Sequence, residues 1–148
     1  MNILSNVDKQ RIANELKDAL DSLIEGCESL DMNQAFDIFW DSPEFRMIAI
    51  DGTLCDYQTY LRNNIDYLAE CSSFELTTLD ERIDVLNSDL GIYSWIYRAV
   101  ATLRTGEQDV IEKAGASFVF RRLKDQWKVI HYHESTLPPQ RRRIVDNR

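Results

Sequence analysis

Apolar residues recur every three or four positions after Ser5: Ile12, Leu16, Ala19, Leu20, Leu23, Ile24 and Cys27. Such a stripe is one face of an α-helix of about five or six turns. Ser5 and Asp8 mark its start, with a hydroxyl to cap free N–H groups and an acid in the first turn. Asp31 and Gln34 repeat that signal, and Ala35, Phe36, Phe39 and Trp40 predict a second, short amphipathic helix that Pro43 ends. Residues 45–50 read as a strand, Asp51-Gly52 as a two-residue hairpin turn, and 53–55 as the return strand. Asp56 caps a third helix carrying Tyr57, Tyr60, Leu61, Ile65 and Leu68.

From Cys71 the period shortens. Residues 74–86, 91–104, 109–123 and 127–135 predict four long strands, separated by Asn87-Ser88-Asp89, Thr105-Gly106-Glu107 and Lys124-Asp125-Gln126. Helices first and an antiparallel meander afterwards define an α+β domain. Strands this long twist and curl. The curled sheet has a concave side that the three N-terminal helices must fill. Its convex side then needs a cover, and a second copy is the simplest one. A homodimer joined through the outer sheet face is therefore expected.

Composition narrows the function. The 148 residues are 44% hydrophobic and 10% aromatic, ordinary for one domain with a full core. Lys and Arg number 17 against 25 Asp and Glu, a formal charge of −8. That balance argues against nucleic acid as a partner, since phosphate contacts need clustered cations. No apolar run reaches the ~20 residues of a membrane span. The N-terminus lacks the basic start and apolar centre of a secretory signal, so a cytoplasmic location is expected. Residues 138–148 carry Arg141, Arg142, Arg143 and Arg148 against Asp146 and read as a disordered basic tail, with docking of a partner as its other reading. Three cysteines without Cys-x-x-Cys spacing and two histidines, His131 and His133, make no recognisable metal set. The five glycines are scattered, so there is no phosphate loop. Neither metal nor cofactor is expected.

The sequences Ser117-Phe118-Val119-Phe120-Arg121-Arg122 and Trp127-Lys128-Val129-Ile130-His131-Tyr132-His133-Glu134-Ser135 resemble the last hairpin of SnoaL-like domains. They are also similar to that of the calcium/calmodulin-dependent protein kinase II association domain, where a Trp leads into a spaced His pair and a Ser. With the order of elements, residues 6–137 resemble the nuclear transport factor 2-like superfamily, which also includes ketosteroid isomerase. The resemblance implies one domain over residues 1–137, a cone-shaped half-barrel open at one end, helices lidding a pocket, and frequent homodimerisation. Its members isomerise, cyclise, dehydrate or only bind, so fold does not carry the chemistry.

Strand alternation sorts candidate site residues. Tyr93, Trp95, Tyr97, Ala99 and Ala101 share one side, taken as concave because small Ala suits packing under a helix. Phe118 and Phe120 face the same way on the next strand. The last strand divides into Trp127, Val129, His131, His133 and Ser135 against Lys128, Ile130, Tyr132 and Glu134, and alternation alone leaves either set inside. The resemblance favours the second set, because the association domain has a pocket Arg at the position matching Glu134. The His pair would then lie on the outer face. The ligand-binding candidates are accordingly Trp40, Tyr57, Trp95, Tyr97, Phe118, Phe120, Tyr132 and, on the first alternative, His133. Glu134 is the candidate general base, since a carboxylate among aromatic rings loses solvation and titrates upward. An aromatic wall with one carboxylate suits a small neutral or cationic ligand. Three functions remain open: a ligand-binding protein with isomerase or cyclase chemistry, a non-catalytic dimerisation or adaptor module, and a small stress or regulatory protein whose Arg-rich tail docks a partner.

Overall fold

A computed structural model describes residues 3–137 and 140–144. The three expected caps form. Ser5 Oγ accepts the Asp8 N–H at 3.1 Å and opens α1, Asn6–Glu28. Asp31 accepts from Gln34 N at 3.2 Å before α2, Met32–Phe36, and Asp56 from Thr59 N at 2.8 Å before α3, Tyr57–Ala69. The second helix is shorter than its apolar pattern predicts. Phe39 and Trp40 leave it because a strand edge satisfies their backbone instead: Trp40 N donates to Val129 O at 3.0 Å, and Val129 N donates to Ile38 O at 2.7 Å. The Asp51-Gly52 turn forms, with Gly52 at φ +83° and Asp51 Oδ1 accepting from Thr53 N at 2.9 Å. It joins β1, Arg46–Ile48, to β2, Leu54–Cys55.

The rest is sheet: β3, Cys71–Asn87; β4, Leu90–Leu103; β5, Glu107–Leu123; β6, Gln126–Thr136; and β7, Gln140–Arg143. The order is β2-β1-β6-β5-β4-β3, antiparallel except where β1 runs parallel to β6. The sheet is curved and does not close, as expected of a half-barrel whose helices fill the concave side. The basic tail departs from the expected disorder at Gln140–Arg143. These residues prolong the β5–β6 ladder in the same register, with Ala114 opposite Thr136 and Val110 opposite Gln140. Pro138, Pro139 and residues 145–148, the rest of the tail expected to be disordered, lie outside the described residues.

Two bulges decide which side chains face inward. On β5, Glu112 and Lys113 together oppose Arg98, so Asp109 and Ile111 face the concave side along with Ala114, Ala116, Phe118 and Phe120. On β6, Ile130 is the extra residue, so Trp127 and Val129 share the inner side with Tyr132 and Glu134. Neither alternating set expected for that strand is the observed one.

The closed end of the cone is packed solid. Ile12, Leu16 and Leu20 of α1 meet Tyr93, Phe118, Phe120 and Val129, all fully buried. α2 crosses α1 at Gly26, where an added Cβ would stand 2.8 Å from the Ala35 Cα. The aromatic polar tips at this end find protein partners. Trp95 Nε1 donates to Thr78 Oγ1 at 2.9 Å, Trp127 Nε1 to Glu15 at 2.7 Å, and the Tyr93 hydroxyl to Glu81, itself bound by Lys17 at 3.0 Å.

Candidate functional site

Beyond this plug the inner side chains of β4 shrink from rings to Ala99 and Ala101, and space opens between the sheet and α1–α3. The result is a cavity of about 330 Å³. Ala99 and Ala101, expected to pack under a helix, floor a void; Ala101 also clusters with Leu68 of α3. The lining is mostly apolar and aromatic and, among the described residues, contains no Lys, Arg or His.

Its deep wall carries one carboxyl group among tyrosines. Glu134 Oε1 accepts from the Tyr132 hydroxyl and, at 3.5 Å, from the Tyr97 hydroxyl. Tyr60 of α3 and Cys27 of α1 also line the cavity and feel the Glu134 charge. Glu134 keeps some accessible surface because it faces the void, while protein encloses it elsewhere. Burial raises its pKa above the ordinary carboxylate value, and the two tyrosine hydrogen bonds only partly oppose this. Tyr60, Tyr97 and Tyr132 are pushed up by burial first and by the Glu134 charge second, so all three remain protonated donors at neutral pH. Burial also raises the Cys27 thiol to about 12, which leaves it unreactive.

Rings frame the group. Trp95 stacks on Tyr97 with centroids 4.2 Å apart, and Phe118 lies 4.6 Å from Tyr132. Phe39 reaches Tyr60 at 5.2 Å and Tyr132 at 5.6 Å, tying the segment after α2 to α3 and β6. The other wall is formed by β5 and α3. There Asp109 accepts from the Tyr67 hydroxyl at 2.8 Å and from Arg141 of β7 at 2.7 and 2.9 Å.

Of the expected site residues, the cavity brings together Trp95, Tyr97, Tyr132 and Glu134. Phe118 and Phe120 lie in the filled core with no exposure. Tyr57 packs edge-on against Phe45 at 6.0 Å, and neither it nor Trp40 is part of the lining; Trp40 is displaced by its ladder to Val129. His133 pairs with Ser117 and is exposed on the outer face, where the Ile130 bulge puts it with His131. The sequence reading missed Cys27, Tyr60, Tyr67 and Asp109 as cavity residues. Cys27 and Tyr60 belong to helical apolar stripes and carried a signal for burial, though none for a void. Among the described residues no cluster of His, Cys, Asp and Glu is arranged to hold a metal ion, and no helix is long and apolar enough to cross a membrane.

Solved structures share this architecture. The chain is similar to a proposed scytalone dehydratase of Novosphingobium aromaticivorans, with TM-score 0.80, 6% identity, and 95% of this chain and 94% of that one covered. A hexachlorocyclohexane dehydrochlorinase of Novosphingobium barchaimii gives TM-score 0.75 at 12% identity over 95% and 99% of the two chains. A proposed calcium/calmodulin-dependent protein kinase II association domain of Xanthomonas campestris gives 0.64 at 15% over 86% of each. At these identities the likeness is one of fold. No curated protein matches the chain. The sequence profile of the SnoaL-like domain matches residues 16–139, and the chain belongs to that family.

Proposed function

We propose that the cavity binds a small, flat, neutral or cationic organic molecule, and that Glu134 moves a proton on it in an isomerase- or cyclase-type reaction. The observation that carries this reading is the Glu134 carboxyl at the deep wall of an apolar cavity, with tyrosine hydroxyls for partners and no cation among the described lining residues. A buried carboxyl without a counter-ion exchanges its proton closer to neutral pH, where a general base is most useful. Ionised, Glu134 takes a proton from an acidified C–H or O–H of the bound molecule; protonated, it returns the proton at a second position. Once Glu134 holds the proton, the Tyr97 hydroxyl, 3.5 Å from it, turns to donate a hydrogen bond to the oxygen that gains charge. The exchange is internal to the molecule and redox-neutral. An anionic ligand would meet a like charge and no cation.

The protein acts as a homodimer in this reading. On the convex face Ile92, Ile96 and Val119 are half-buried, and no element among the described residues covers them. Native mass spectrometry of the purified protein, followed by denaturing analysis, tests both statements. The expected result is a dimer carrying a small organic molecule whose occupancy falls in Glu134→Gln. An empty dimer that also fails to bind para-hydroxybiphenyl in a calorimetric titration would favour the adaptor function instead.

A further inference from the structure

The cavity has two polar ends, and only one of them has been used above. Asp109 faces inward because of the β5 bulge, opposite Ala101, while Tyr97 lies four residues earlier on β4. That separation is roughly 13 Å of strand at about 3.3 Å per residue. Between the two levels the sheet side of the lining is apolar, with Ala99, Ala101, Ile111, Phe74 and Leu76; on the helix side Asn64 stands between Tyr60 and Tyr67, its Nδ2 donating to the Tyr60 carbonyl at 2.9 Å. Asp109 differs in kind from Glu134. Arg141 forks onto both of its oxygens at 2.7 and 2.9 Å, and the Tyr67 hydroxyl donates to Oδ2 at 2.8 Å. A carboxylate offers about four acceptor positions, so one remains, on Oδ1. The Asp109 side chain retains 14% exposure and lines the void.

We infer that Asp109 is a second ligand-anchoring residue, and that the molecule bound here is elongated, with an uncharged hydrogen-bond donor on the end away from Glu134. This rests on the cavity being a small-molecule site, as proposed above. The chemistry at the two ends decides the ligand's polarity. Arg141 holds Asp109 ionised and cancels its charge, so a neutral hydroxyl, amide or amine N–H is favoured there over a cation. Glu134 has no such partner, so any positive charge on the ligand belongs at that end. Arg141 is a positioning residue: it reaches Asp109 from β7, behind the lining, so the strand after Thr136 orients a wall residue without lining the cavity itself.

The test is a thermodynamic cycle by calorimetry on the full-length protein. The probes are para,para′-biphenol, a rigid rod with a hydroxyl donor at each end, and its dimethyl ether, which has none. Wild type and Asp109→Ala are compared with both. Losing one hydrogen bond to a charged acceptor weakens the diol roughly tenfold, while the diether changes little. Equal weakening of both compounds, or of neither, overturns the inference and leaves the cavity reading intact. Failure of both compounds to bind wild type removes the cavity reading and this inference together. If Asp109→Ala does not fold, crystals of wild type soaked with the diol replace it. A hydroxyl within hydrogen-bond distance of Asp109 Oδ1 is expected, and a diol seated with no contact to Asp109 overturns the inference.

Discussion

Burial holds the Glu134 carboxyl above its ordinary value, and the consequence for stability has a definite sign. Between the unfolded and folded pKa the native state binds the extra proton, so stability falls as pH rises through that window and stays lower above it. Glu134→Gln removes the penalty. Melting temperatures of wild type and variant are expected to converge near pH 4 and to separate, variant higher, as pH rises. Taking the difference between the two proteins is essential, because Asp51, Asp56, Glu81 and Asp109 are held below their ordinary values by hydrogen bonds and pull the total pH dependence the other way. Phe118 answers to packing alone: it has no exposure and touches Tyr93, Trp95, Phe120 and Tyr132. Phe118→Ala should cost about 3–5 kcal/mol in denaturant unfolding. Legibility at this scale stopped at the bulges. Counting by twos from Phe118 puts Asp109 outside, and counting from Trp127 separates it from Tyr132 and Glu134. One extra residue on each strand reverses both results, and nothing in the amino-acid types at 112–113 or 130 announces it.

α1 and α3 behave as their caps and stripes require, and so do the three long hairpins, whose Asn-Ser-Asp, Thr-Gly-Glu and Lys-Asp-Gln turns are evident in the chain. What propensity could not supply was competition. The segment 37–40 is amphipathic enough for helix, yet it serves as a ladder partner for Val129 because that edge of β6 would otherwise leave backbone groups unpaired. Likewise Arg141–Arg143 read as a solvated charge run until β5 is seen to extend past the end of β6 and offer an open edge. Gly26 is the clearest element-level device, since α2 lies against its bare Cα. Gly26→Ala should improve local helix propensity but force α2 outward, for a net destabilisation of about 1–3 kcal/mol. A stabilised variant would show that the α1–α2 crossing has slack.

For the whole molecule, the curled meander over N-terminal helices follows from strand length and order, and the family likeness of the last hairpin agrees with it. A lidded, aromatic-lined pocket was expected from the resemblance, but its position along the strands was not legible, because a ring and an alanine on one strand face specify packing or a void depending on what the helices bring. The convex face carries the dimer prediction. Ile96→Glu places a charge on that face, away from the core, and should shift the native mass from dimer to monomer with little change in far-ultraviolet circular dichroism. A wild-type monomer would remove the dimer from the proposal.

A carboxyl group placed in an apolar cavity so that burial raises its pKa above the ordinary carboxylate value is the centre of the proposed function, and its direct test is a carbon-detected NMR titration. With glutamate labelled at the carboxyl carbon, the Glu134 signal is identified by its loss in Glu134→Gln. The expected midpoint lies above 4.5, the ordinary glutamate value, and moves higher in Tyr97→Phe, which removes a hydrogen bond to the ionised form. A midpoint at or below the ordinary value, unmoved in Tyr97→Phe, would contradict the placement of Glu134 and the function proposed from it.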